Sequence, residues 1–133
     1  MKLHHIAFWT TDIVRLKDFY IKHCQGKVLF SHQSGEFRCV FLEIYGAVKI
    51  EIMTRPFISP ASQDEKVGFS HFSIEVETEA EVNEITDYCC SEGIPLTKNK
   101  EQYDDGFYES AFADPDGNVI EIAYINREVN PSV

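Results

Sequence analysis

Positive charge is scarce in this sequence. Twelve Lys and Arg stand against 22 Asp and Glu, a formal net charge of −10. Nucleic-acid binding relies on basic side chains that neutralise phosphates, so no nucleic-acid partner is expected. There is no basic patch, no P-loop and no G-x-G-x-x-G run. No apolar stretch approaches the length that spans a bilayer, which argues against a membrane partner. Cysteine is sparse. Cys24, Cys39, Cys89 and Cys90 contain no C-x-x-C spacing, which excludes a zinc knuckle and a thioredoxin-like motif and leaves reduced thiols as the expectation. Met1-Lys2-Leu3-His4-His5 runs straight into a strand pattern without the serial regions of a signal peptide. A cytoplasmic location is therefore expected.

The 133 residues, 44% of them apolar, suffice for one domain or two small fused modules. Leu3–Trp9 reads as a strand, and Asp12 suits the N-cap of a helix over Ile13–His23, with Ile13, Leu16, Phe19 and Tyr20 at helical spacing. Strand patterns follow at Lys27–His32, Phe37–Tyr45 and Ala47–Thr54. Arg55–Lys66 reads as a linker, after which the plan restarts. A strand over Gly68–Glu75 precedes a helix from Thr78 or Glu79 to Glu92, with Val82, Ile85 and Cys89 on one face. Three strands near Pro95–Lys98, Phe107–Ala113 and Asn118–Ile125 complete it, with Asp114-Pro115-Asp116-Gly117 as a turn. Each half is thus β-α-β-β-β, an α+β plan. A lone unit of this kind leaves a sheet edge and a bare face, so pairing of two units, or of two chains as a homodimer, is expected.

Four residues mark the chemistry: His5, Glu51, His71 and Glu121. The two His are 66 residues apart and the two Glu 70 apart, so each half carries one of each at equivalent places. Imidazole and carboxylate suit a divalent first-row ion. Strand alternation puts Ala7 and Trp9 with His5, Lys49 and Met53 with Glu51, Ser73 and Glu75 with His71, and Val119 and Ala123 with Glu121. Apolar rows lie opposite: Ile50 and Ile52, Phe72 and Ile74, Ile120 and Ile122. The first strand is less clean, because His4 joins Ile6 and Phe8. Trp9, Met53 and Ser73 either line a pocket or fill a core. Lys49 either meets an anionic substrate or ends a strand in solvent. Four such groups in one cleft without an ion would suffer carboxylate repulsion and desolvation.

Leu3-His4-His5-Ile6-Ala7, Asp18-Phe19-Tyr20, Lys49-Ile50-Glu51-Ile52, the run Phe69–Val76 and Asp114-Pro115-Asp116-Gly117 followed by Ile120-Glu121-Ile122 resemble the vicinal oxygen chelate superfamily, which includes glyoxalase I, bleomycin resistance proteins and extradiol dioxygenases. The resemblance implies one glyoxalase-like domain over 1–127, with a tail at 128–133. Tandem modules at about 1–57 and 67–126 would form a cupped mixed sheet. It maps the metal ligands of glyoxalase I onto His5, Glu51, His71 and Glu121. One ion would be bound, Zn or Ni first, with Fe, Mn or Co as alternatives. The implied activity is that of a lyase or isomerase acting on a small oxygenated substrate through an enediolate, with Glu51 or Glu121 as the catalytic base. Members that use glutathione place Arg and Asn where this chain has Trp9 and Arg55, so glutathione itself is not the expected thiol. Iron-dependent dioxygenases and thiol- or fosfomycin-type transferases of the superfamily use three ligands, here His5, His71 and Glu121. Antibiotic-binding relatives use no metal.

Overall fold

The computed structural model describes residues 1–60 and 67–133, so the last part of the expected linker, 61–66, lies outside the described residues. The chain divides into two compact units, Met1–Gln63 and Asp64–Val133.

The first unit runs β1 (Ile6–Trp9), α1 (Ile13–His23), β2 (Lys27–Ser34), β3 (Phe37–Ile44) and β4 (Val48–Thr54). Its sheet has the order β1-β4-β3-β2, with β1 parallel to β4 and the rest antiparallel. α1 starts where the Asp12 side chain accepts a hydrogen bond from the Arg15 backbone N–H at 3.0 Å, and it ends with Lys22 and His23 in its last turn. Cations there complement the helix dipole. Gly26 follows because the chain passes close to that end: a Cβ on it would lie 2.6 Å from the Tyr20 carbonyl oxygen. Leu16 and Tyr20 of α1 are fully buried, as are Leu42, Ile44, Ile50 and Ile52 of the sheet. Burying each such side chain contributes roughly 1.5–3 kcal/mol. The row opposite Glu51 is therefore the core, as its pattern implies.

The second unit repeats the order: β5 (His71–Val76), α2 (Glu79–Ser91), β6 (Leu96–Gln102), β7 (Phe107–Ala113) and β8 (Val119–Ile125). Its sheet order is β5-β8-β7-β6, again with the first and last strands parallel. Thr78 and Glu81 form a reciprocal capping box at the start of α2. The turn before β8 is set by Asp114, whose Oδ1 accepts from the Asp116 and Asn118 backbone N–H groups, both at 2.9 Å.

Each unit is thus a β-α-β-β-β module with a four-stranded mixed sheet. Three strand boundaries and one buried position differ notably from the sequence pattern. β1 starts at Ile6 rather than Leu3, because its parallel ladder with β4 begins at Ile6↔Ile50; His5 stands one residue outside it. β5 starts at His71 rather than Gly68, where its ladder with β8 begins. β6 runs on to Gln102, since its polar residues pair with β7 and alternation alone could not reveal that. On α2, Thr86 takes the fully buried place beside Val82 and Cys89 while Ile85 is half-buried. The Thr86 hydroxyl is satisfied there, donating to the Val82 carbonyl and sharing a 2.6 Å hydrogen bond with Ser110. Among the described residues no helix is long and apolar enough to cross a membrane.

Candidate metal centre

In the first unit, register puts Ala7 beside Glu51 and Glu51 beside Phe41, on the sheet face away from the buried isoleucines. His5, just ahead of β1, reaches the same place: its Nε2 lies 3.3 Å from Glu51 Oε2. The His5 ring packs edge-on against Phe41, with centroids 5.1 Å apart, and its Nδ1 shares a 2.8 Å hydrogen bond with His4 Nδ1. The Glu51 side chain is 15% exposed. Burial pushes the Cys39 thiol up, and the hydrogen bond and charge of Glu51 add to the effect.

The second unit builds the same pair. His71 Nε2 lies 3.7 Å from Glu121 Oε2, and His71 Nδ1 is 3.2 Å from the Ser70 hydroxyl. In both units the residue before the histidine engages Nδ1, which leaves Nε2 directed at the glutamate. Holding the distal ring nitrogen is how proteins orient metal-binding imidazoles.

The spacing of the first pair suits two donors to one ion, and that of the second comes close. Donors held at about 2.0–2.2 Å from one ion sit roughly 3.0–3.5 Å from each other when adjacent. The 3.3 Å pair meets this and the 3.7 Å pair is a few tenths longer. Among the described residues these donors gather in pairs, with no set of three or more His, Cys, Asp or Glu that could hold an ion.

The other expected site residues fall as follows. Ser73 is exposed and lies in register with Glu121. Met53 is half-buried, paired across the ladders with Trp9 and Cys39. Trp9 is 43% exposed, so it lines a surface rather than filling the core, with the Arg55 guanidinium 4.7 Å over its ring. Lys49 is exposed beside His4 and His5 in a surface pocket of about 230 Å³. The Tyr103–Phe107 segment is a tight β6–β7 turn closed by the Gly106 N–H donating to the Tyr103 carbonyl at 3.1 Å.

Sequence reasoning missed Lys98 and Glu109. Both charged groups lie on the Glu121 face, and Lys98 Nζ sits 2.5 Å from Glu109 Oε1 and 3.6 Å from Glu121 Oε2. The hydrogen bond to Glu109 raises the Lys98 pKa above the ordinary lysine range, outweighing the opposing effect of burial. No sequence signal marked them: after Leu96 the strand is polar throughout, and the register that sets Lys98 and Glu109 on this face follows only from the pairing of β6, β7 and β8.

Two β-α-β-β-β units, each carrying a His–Glu pair on the face its helix leaves bare, define the class: tandem-module proteins of the glyoxalase-like fold. The chain belongs to the Glyoxalase/Bleomycin resistance protein/Dioxygenase superfamily, whose family model matches residues 2–122. In structure it is similar to a glyoxylase/bleomycin resistance protein/dioxygenase domain from Frankia sp. EAN1pec, with a TM-score of 0.82, 16% identity, and 95% of this chain and 98% of that one covered. It is also similar to the fosfomycin resistance protein FosX from Listeria monocytogenes complexed with Mn(II) and sulfate, at TM-score 0.73, 18% identity and 98% coverage of both chains. The trypanothione-dependent glyoxalase I of Leishmania major is similar at TM-score 0.73 and 23% identity, over 96% of this chain and 88% of that one. At such identities the likeness establishes the fold. No curated protein matches the chain.

Proposed function

We propose that this protein is a metal-dependent, glyoxalase I-like lyase or isomerase acting on a small oxygenated substrate. In this reading His5, Glu51, His71 and Glu121 together hold one divalent ion, Zn or Ni in the first place. The four come together within a single glyoxalase-like domain or across a homodimer in the cytoplasm. The observation that carries the reading is the repetition of one pair in both units: a His Nε2 opposite a Glu Oε2, at 3.3 and 3.7 Å. The Mn(II) of the similar FosX structure supports a divalent ion.

The bound ion would polarise two adjacent oxygens of the substrate and acidify a neighbouring C–H. The chain's own part is to orient that substrate and move the proton. Glu51 and Glu121 are carboxylates of low exposure on the bare sheet faces, and either one, within hydrogen-bond reach of the C–H, can take its proton and return it to the adjacent carbon. Trp9, Met53 and Ser73 would contact the substrate. Trp9 and Arg55, stacked on each other, stand where glutathione-using members place Arg and Asn, which favours a substrate other than a glutathione adduct.

Metal content of the purified protein, measured by mass spectrometry beside Glu51→Gln and Glu121→Gln, tests this. About one ion per chain, weakened in both variants together with proton exchange at carbon, is the expected result. Full metal retention in Glu51→Gln would replace the four-ligand site with the three-ligand dioxygenase or transferase type. No metal after reconstitution would leave a small-molecule binding protein.

A further inference from the structure

Corresponding cross-strand rows in the two sheets differ in one respect. In the first unit the row through the glutamate is Ala7, Glu51, Phe41 and Phe30. In the second it is Ser73, Glu121, Ala111 and Lys98. Where the first unit sets two aromatic rings beside its carboxylate, the second sets a methyl group and then an ammonium. Strands are about 4.8 Å apart, so Lys98 and Glu121 are separated by roughly 10 Å of sheet. The small Ala111 between them lets the lysine stem lie across the sheet, which brings Nζ to 3.6 Å from Glu121 Oε2.

Lys98 is on the edge strand and had an easier course. Lys100 on the same strand turns to Asp87, whose side chain is 70% exposed. Lys98 is instead drawn over the sheet by Glu109, itself only 8% exposed, and lies over the Tyr103 ring at 5.4 Å. Placing this ion pair on the sheet face costs desolvation that a surface pair would avoid. Of the three ammonium N–H groups, Glu109 accepts one and the Tyr103 hydroxyl engages a second, which leaves one for a ligand. Glu121 at 3.6 Å is beyond hydrogen-bond reach, and the Lys98 side chain remains 36% exposed. An ammonium that is held by Glu109 and belongs to a partly exposed side chain therefore stands next to the candidate metal-binding carboxylate.

We propose that Lys98 is an anion anchor: a ligand seated beside Glu121 carries a carboxylate or similar oxyanion that Lys98 binds. This deepens the functional reading above and rests on it for the place where the ligand sits. The substrate class is then a small acid with a second oxygen next to its anionic group, such as a 2-hydroxy or 2-oxo acid. An ion that engages Glu121 draws that carboxylate's charge away from Lys98, so metal occupancy and anion binding reinforce each other.

The test compares lactate with lactamide, two ligands of one shape that differ by a charge. Both are titrated by NMR against the full chain, as purified and after reconstitution with Zn²⁺. Because removing Lys98 alone strands a buried Glu109, the decisive variant is the double one, Lys98→Met with Glu109→Gln. It should lose roughly ten- to a hundredfold in lactate affinity, the worth of one charge-assisted hydrogen bond, with lactamide affinity unchanged. Glu109→Gln alone keeps the ammonium and should bind lactate at least as well as the parent. Equal losses for both ligands, or no lactate binding by the parent in either form, would overturn the proposal. Metal content, read separately on the same samples, decides the four-ligand reading whatever lactate does.

Discussion

The Arg55 guanidinium carbon lies 4.7 Å over the centre of the Trp9 ring. These are the two positions at which the chain departs from the glutathione-using pattern, and they contact each other, so the departures form one unit. Trp9 also meets the Phe37 ring edge-on at 6.3 Å. The protein has a single tryptophan. Arg55→Ala should therefore shift the emission of the whole protein while costing under about 1 kcal/mol, the usual worth of an exposed cation–π contact. Unchanged emission would mean that the pair does not form in solution.

The neighbours of the two histidines predict a shared sensitivity. His4 engages His5 Nδ1 and Ser70 engages His71 Nδ1. Neither neighbour is a proposed ligand. Loss of such outer partners lowers metal affinity by about 10–100-fold. His4→Ala and Ser70→Ala should each do so in a chelator competition, with one ion per chain still bound at saturation. Affinity equal to the parent in both would remove the orienting role.

Thr86 and Ser110 share a buried hydrogen bond of 2.6 Å between α2 and β7. Thr86→Val strands the Ser110 hydroxyl and should cost about 1–3 kcal/mol in urea unfolding. Adding Ser110→Ala should recover part of that loss, because an apolar pair needs no partner. If the double variant shows the plain sum of the two single effects, the groups are not coupled.

Burial, aided by the neighbouring Cys90, pushes the Cys89 thiol up to about 11 from an ordinary 9.0. The folded state thus holds its proton more tightly than the unfolded one. The associated stability is complete below pH 9 and declines as pH rises from about 9 to 11. The urea midpoint should fall over that window, and Cys89→Ala should flatten the fall. Alkylation at pH 8 should label exposed Cys90 well ahead of buried Cys24, Cys39 and Cys89. Rapid labelling of Cys89 would contradict its burial.

Much of this fold could be read directly. The span of α1 was legible because Asp12, the spacing of Leu16 and Tyr20, and Gly26 all act locally. The core rows, Ile50 with Ile52 and Ile120 with Ile122, followed from alternation alone. Thr86 escaped because a threonine reads as polar until its hydroxyl finds Ser110.

The sequence by itself determined the two-module plan, and that Glu51, His71 and Glu121 sit on strand faces opposite apolar rows. These depend on side-chain period and on turn residues, which act over a few positions. The tertiary structure alone decided that Ala111 is the neighbour of Glu121, that Lys98 reaches across it, and that Arg55 stacks on Trp9. Those contacts depend on strand order and register, and on rotamers chosen once neighbouring strands are in place. Residues far apart in the chain become neighbours only when the sheet closes.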